Sequence, residues 1–378
     1  MFNFLYDVIG IPFGYLMKLI YFIFKNYAVS IIVFTIVTKL LMFPVNYKTQ
    51  KNAARMQLMQ PKLEKIRKSF ANNPQRVQEE QQKLYIEEGI NPMASCLPAF
   101  IQMILLFGIL DVVYKPITHI LRISKDIRLK AFELAGTSKG NLRCELITMK
   151  DLTHNADNAE NYKSLGENFF TKVSDFSDNF TIFGANLGNV PTLHPDSWTR
   201  EAVILALIPF LAGLAQLLST LYSLIRSKKT NPNMQGGGCM TFMMLMMPLI
   251  SIWFAFSVPA GVGFYWIWSA LFSFLITFAL NQYFTPERTA AINEKEKEKA
   301  RIYAEKHPEK KTFMQRMMEQ QELVNQQQNG GARKAGNDKI SRSEMNKHNR
   351  DKIKEARRRM AEKYGDIYDD SDNDNDED

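Results

Sequence analysis

The chain has 378 residues, 46% of them hydrophobic and 12% aromatic, with a formal net charge of +8 from 47 Lys and Arg against 39 Asp and Glu. Its apolar residues gather into five long runs, which excludes an ordinary soluble domain, whose helices keep one side wet and charged. Cys96, Cys144 and Cys239 are odd in number and far apart, so neither a disulfide framework nor a metal cluster is implied, and the sequence calls for no cofactor.

In residues 1–26, Phe2, Leu5, Ile9, Phe13, Leu16 and Ile20 recur at helical spacing, with Asp7, Lys18 and Lys25 among them. This predicts an amphipathic helix lying in the membrane interface; the alternative, an additional span, is disfavoured because Gly10, Pro12 and Gly14 interrupt the run. No basic lead or small-residue cleavage site marks it as a removable signal. Five runs then reach or approach the ~20 apolar residues that cross ~30 Å of hydrocarbon. They are 27–45, 92–115, 202–225, 240–258 and 262–284.

Between the first two runs, 46–91 is polar but helical, with Met56, Met59, Leu63, Ile66 and Phe70 on one stripe. The breaker "ANNP" follows, then a second helical stretch, so the segment predicts an antiparallel helical hairpin kinked at Pro61. Segment 116–201 ends in "FGANLGNVPTLHPDSW", an ordered turn leading into the third run. Residues 226–239 form a short loop. From 285 to 378 the chain is a charged tail, largely disordered, with helical propensity near its start. It carries a basic stretch at Arg357, Arg358 and Arg359 and ends in fifteen residues with eight acids and no base.

Lys and Arg near span ends set orientation. Segment 46–91 holds nine of them, and the loop after the third run adds Arg226, Lys228 and Lys229, so both belong in the cytoplasm. The turn "SVPAGVG" is uncharged and 116–201 is nearly balanced, so both fit the outside. The expected fold is an all-α membrane protein: a bundle of five transmembrane helices, N-out and C-in.

Catalysis leaves no trace. There is no Walker-type phosphate loop, H-E-x-x-H or G-x-S-x-G, and the five histidines do not cluster, so the chain reads as no enzyme. What remains is a short set of polar side chains inside the runs: Lys39, Gln102, Asp111, Gln216 and the amphipathic pair Tyr265 and Trp266. Ionisable groups in spans usually face a bundle interior or a wet cavity. Lys39 has two readings on its own, a snorkelling stem or a wet groove. Asp111 reads as an interfacial pair beside Tyr114 and Lys115. Gln102 and Gln216 read as interhelical hydrogen bonds or groove residues. The Met-rich fourth run is either lipid-facing filler or an adaptable apolar surface.

Taken together, "IIVFTIVTKLLMFPVNYKTQKNAARMQLMQPKLEKI", "KLYIEEGINPMASCLPAFIQMILLFGIL", "FGANLG" with "IPFLAGLAQLLSTL", and "MMPLISIWFAFSVPAGVGFYWIWSALFSFL" resemble the YidC/Oxa1/Alb3 membrane protein insertases of the Gram-positive type. The resemblance implies a five-helix bundle in a bacterial plasma membrane, with a groove open to cytoplasm and lipid and a helical hairpin over its inner end. It places Lys39 where members carry a groove cation, most often Arg, and Gln216 and Trp266 at other groove-facing positions. Ala270 stands where members commonly have Asn. Lys keeps the charge but loses the planar fork that grips a carboxylate twice.

On this reading the protein passes nascent transmembrane segments and their short N-tails from cytoplasm into the bilayer. Lys39 captures an acidic tail, with Gln102, Gln216, Tyr265 and Trp266 around it. The hairpin around Met56, Met59, Leu63 and Phe70 meets the emerging chain first. Implied partners are nascent membrane proteins, the ribosome through Arg357–Arg359, the Sec translocon and membrane lipids. The alternatives are an assembly factor for membrane complexes without insertion activity and a small-solute transporter. The second would need internal repeats, which the sequence does not display.

Overall fold

A computed structural model of the chain describes residues 2–91, 97–230, 237–306 and 316. The chain is an all-α membrane protein whose only described strands form one two-stranded hairpin. Among the described residues, Tyr27–Ser69, Arg200–Lys228 and Ala260–Tyr283 are long and apolar enough to cross a bilayer. Gly10–Phe24, Phe100–Tyr114 and Phe242–Ala255 are shorter apolar helices.

Helix α1 (Phe2–Phe24) runs straight through Pro12. The glycines expected to interrupt it are instead its points of closest approach. Gly10 lies against the carboxylate of Asp111 and Gly14 against the ring of His119, and a Cβ at either position would collide with them. Met17 and Ile20 are buried, and Phe13 meets Phe34 edge-on at 5.8 Å. One face of α1 is therefore packed on its neighbours α4 and α2, and the helix is continuous where the glycines and Pro12 were expected to interrupt it.

Lys25 then takes a left-handed conformation (φ 54°), and Asn26 caps α2 by accepting the N–H of Val29 at 3.0 Å. Helix α2 (Tyr27–Ser69) carries both the first apolar run and the first arm of the hairpin, with no break at 45–46. Hydropathy changes there, but helical propensity does not, and 43 residues extend for about 65 Å. Asn73 caps the returning helix α3 (Pro74–Glu87) through the N–H of Arg76. The two arms close over Met59, Leu63 and Ile90, with Met56, Leu84 and Tyr85 against them.

After α4 (Leu97–Tyr114), the segment that composition left largely unread forms a compact cap. Its elements are α5 (Pro116–His119), α6 (Lys125–Leu134), α7 (Cys144–His154), α8 (Ala156–Ser164), α9 (Glu167–Asp178), β1 (Thr181–Ile182) and β2 (Ala185–Asn186). Phe169, Val173, Phe176 and Phe180 join its core to Tyr27 and the bundle. The strands turn at Phe183 and Gly184, both at positive φ, as a two-residue hairpin of matching twist requires. Backbone bonds then fasten the cap to two helix starts. Tyr27 N–H donates to Asn179 O at 3.1 Å, and Ala260 and Gly261 N–H donate to Asn189 O and Leu187 O, each at 2.8 Å.

Helices α10 (Arg200–Thr230), α11 (Gly237–Ala255) and α12 (Ala260–Tyr283) complete the bundle, α12 packing on α10 and α2, and α10 on α11. Helix α13 (Pro286–Lys306), expected as the start of a largely disordered tail, is docked along α2. Its Asn293 and Lys297 reach the buried carboxylate of Glu88 at 3.2 and 3.4 Å, where Lys62 also pairs at 2.6 Å. Arg55 ties the same place together, donating to Asn293 Oδ1 at 2.8 Å and to Glu88 O at 2.7 Å. Seen only as composition, α13 is a string of charges. Its partners lie more than two hundred residues away in the chain.

Candidate functional site: a cation in the helical bundle

Lys39 stands twelve residues into α2, about 18 Å from its start. Its side chain is buried among apolar helices, where an ammonium group needs polar partners. It has two: Nζ donates to Ser273 Oγ at 2.8 Å and to Gln102 Oε1 at 3.3 Å. Gln102 in turn donates to the Tyr265 hydroxyl at 3.5 Å. None of these groups is an acid, so Lys39 is solvated by dipoles and its charge is not cancelled.

The cation borders a cavity of about 410 Å³ to which all five apolar helices of the expected bundle contribute. Lys39 comes from α2, Gln102, Met103 and Leu106 from α4, and Ser251 from α11. Helix α10 supplies Ala212, Gln216 and Ser219, at spacings of four and three residues that form one helical face. Helix α12 supplies Trp266, Ser269, Ala270 and Ser273 in the same way. Polar and small residues thus line the hollow side of helices whose other faces are apolar.

Lys39, Gln102, Gln216 and Trp266 are therefore brought to one cavity, while Tyr265 is not on its wall. One residue along α12 turns the side chain by about 100°, and Tyr265 is fully buried in the core with only its hydroxyl directed to Gln102. Asp111 is elsewhere. It is wholly buried at the far end of α4, where the expected partner Lys115 pairs with it at 2.6 Å and His119 adds a second contact at 2.6 Å.

Four polar cavity residues escaped sequence reasoning: Ser219, Ser251, Ser269 and Ser273. A serine in a span can satisfy itself on the carbonyl four residues back, as Ser251 does on Met247 O at 3.0 Å, so its presence alone carries no message. The available signal was position. Ser269 and Ser273 are one turn apart and follow Trp266 at helical spacing. Ala270 lies between them, and an Asn there would have added an amide to the cavity wall.

The hairpin stripe needs correction. Met59 and Leu63 are each only 2% exposed, consumed by the seam between α2 and α3, and offer nothing to an arriving chain. The two arms close on each other, so the apolar stripe becomes the core of the hairpin. Met56 and Phe70 are half-buried. Arg357, Arg358 and Arg359 lie outside the described residues.

Residues 19–288 match the 60Kd inner membrane protein family. Over 269 residues, 71% of this chain and 35% of the relative, the sequence is 25% identical to the membrane protein insertase YidC of Pelodictyon phaeoclathratiforme. It is 43% identical over 84 residues to the YidC of Clostridium tetani, covering 22% of this chain and 38% of that one. Against the YidC of Brucella suis it is 40% identical over 103 residues, 27% of this chain and 17% of the relative. The matched stretches thus span well under half the length of these curated relatives.

Proposed function

The chain belongs to the 60Kd inner membrane protein family, and on that footing we propose that it is a membrane protein insertase of a bacterial plasma membrane. Its substrates are nascent transmembrane segments with short N-tails. Five spans carry the activity, formed by the first part of α2 and by α4, α10, α11 and α12, with the cap outside and the hairpin and α13 inside. The excess of Lys and Arg in 46–91 and in the last turns of α10, at Arg226, Lys228 and Lys229, supports that orientation.

The observation that carries the reading is Lys39, a buried cation held, among the described residues, by Gln102 and Ser273 and by no acid, on the wall of a polar cavity between apolar helices. A segment of ~20 apolar residues gains free energy on leaving water, and its polar tail is the obstacle. The cavity shortens the apolar distance that the tail must cross. At an effective dielectric of about 20, a carboxylate about 4 Å from Nζ is attracted by about 4 kcal/mol, less what both groups lose in hydration. Ser269, Ser273, Gln102 and Gln216 replace part of that hydration. The apolar segment then leaves sideways past α11, where Met243, Met247 and Trp253 present exposed, pliable surface.

Nascent membrane proteins are the direct partners. The basic stretch at Arg357–Arg359 supports a ribosome contact by charge, and a handover from the Sec translocon fits the same route. The test is depletion in the native host, followed by protease accessibility of the N-tail of a single-span substrate. Insertion should fall on depletion and return with the wild-type chain. Unchanged insertion of every membrane protein followed would end the insertase reading.

A further inference from the structure

A second cavity lies outside the groove, between α7 and the turn that leads into α10. Arg143, at the N-cap of α7, Ile147 and Lys150 are four and three residues apart, so they share one helical face. Opposite them stand Asn189, Thr192 and Thr199. The space between has a wide lobe of about 330 Å³ and a narrow one of about 70 Å³, both bounded by Arg143, Lys150 and Asn189. The wide lobe ends on Ala202 and Leu205 of α10, and the narrow one on Leu146, Met149 and Phe180.

Charge on the walls is unbalanced. Arg143 and Lys150 are exposed, and among the described residues neither side chain takes part in an ion pair or hydrogen bond. The one acid on the wall, Glu201, is tied to the loop through Oε1, which accepts Asn186 N–H at 3.2 Å and the Asn189 amide at 3.0 Å, and among the described residues its Oε2 has no partner, so it leaves one acceptor beside the donors. Arg143, Lys150, Thr192 and Thr199 thus line one space, the two threonine hydroxyls accepting His194 and Ala202 N–H while keeping their own protons to donate. They offer more donors than the two oxygens of a carboxylate can take up, and suit the oxygens of a phosphate. Arg200 and Glu201 are the last charges before the apolar run of α10, so the cleft lies where that helix leaves water for hydrocarbon. Its floor is apolar.

We propose that this cleft binds a phosphodiester anion of the phosphoglycerol class, with the phosphate between Arg143 and Lys150 and the glycerol hydroxyls toward Glu201. The source is a lipid headgroup or a water-soluble phosphoglycerol, since both present the same chemistry. The site is independent of the Lys39 cavity and requires only that α10 enters the membrane.

The full chain in detergent micelles is titrated calorimetrically with dioctanoyl phosphatidylglycerol and, separately, with glycerophosphoglycerol. Saturable binding at one site is expected, weakened at least tenfold by the pair Arg143→Gln and Lys150→Gln. The pair Arg67→Gln and Lys68→Gln, which removes the same charge from the hairpin, should change affinity less than twofold. Binding of both compounds identifies the phosphoglycerol as the recognised group, and binding of the lipid alone identifies the membrane as its source. Equal affinity in the wild type and the cleft variant, or equal losses in both variants, overturns the proposal. Because Arg143 and Lys150 are exposed, the variants should unfold at the wild-type temperature, which is checked in the same samples.

Discussion

Replacing Glu88 by Gln keeps the shape of the side chain and removes its charge from the place where α13 meets the hairpin. In the wild type the buried carboxylate accepts from Lys62 at 2.6 Å, Asn293 at 3.2 Å and Lys297 at 3.4 Å. Lys62 and Lys297 are half-exposed and regain water when released, so each is worth no more than an exposed ion pair, below about 1 kcal/mol. Weakening the Asn293 bond adds about 1 kcal/mol. The Lys62 pair lies within the hairpin and does not hold α13, so the loss at the docking contact comes from Lys297 and Asn293, about 2 kcal/mol at most, and raises the undocked population of α13 up to about 30-fold. Hydrogen exchange of the full chain in micelles reads this directly: amides of 290–300 should lose up to about 30-fold in protection while those of α12 keep theirs. The sign with pH follows from the same contacts. Burial alone would raise the Glu88 carboxyl, and the bonds from Lys62 and Asn293, with the ammonium groups, more than offset it, so its pKa lies below the usual carboxylate value. A depressed pKa gives stability that is complete above the unfolded value, about 4.3, and is lost as pH falls through the folded one. Docking should therefore be constant from about pH 6 to 8 and weaken below about pH 4. Equal protection of α13 in wild type and Glu88→Gln would refute the reasoning.

Three further outcomes follow from the packing. Gly10→Val drives a side chain into the Asp111 carboxylate and should cost about 1–3 kcal/mol, seen as a lower unfolding temperature in micelles; an unchanged temperature would show that α1 is not seated on α4. Leu63→Ala should destabilise the hairpin by about 2–5 kcal/mol, measured by hydrogen exchange of α3, whereas half-buried Phe70→Ala should leave that exchange nearly unchanged. Ser273→Ala removes the shortest bond to Lys39 and should reduce insertion of an acidic-tailed substrate several-fold, corresponding to about 1 kcal/mol. The same change should spare a substrate with a neutral tail.

How far the sequence led can be seen in particular residues. Lys39 and Gln102 stood out because a polar side chain in an apolar run must be satisfied somewhere, Gln216 and Trp266 were pointed to the groove by the family resemblance, and the cavity is where the structure brings all four together. The serines beside them did not stand out, since a hydroxyl in a span can be satisfied within its own helix, as Ser251 is, and so signals no such imbalance. Gly10 and Gly14 illustrate a different limit. The same residue that weakens a helix also permits close approach, and only Asp111 and His119, about a hundred residues on, decide which applies. Met59 and Leu63 were correctly placed on one stripe, but a stripe does not say which surface covers it. The docking of α13 was hidden for the same reason, because Glu88 reads as one more surface acid until Arg55, Asn293 and Lys62 surround it.

The central claim is that positive charge at Lys39 draws the substrate's tail into the bundle. Its most direct test measures, in the depleted host, the rate of N-tail translocation for single-span substrates bearing zero, one or two acids, with wild type, Lys39→Arg, Lys39→Ala and Lys39→Glu supplied in turn. The account predicts that Lys39→Arg matches or exceeds the wild type, that Lys39→Ala slows acidic tails at least tenfold, and that Lys39→Glu slows them further as acids are added. Lys39→Glu inserting the two-acid tail as fast as the wild type would contradict it.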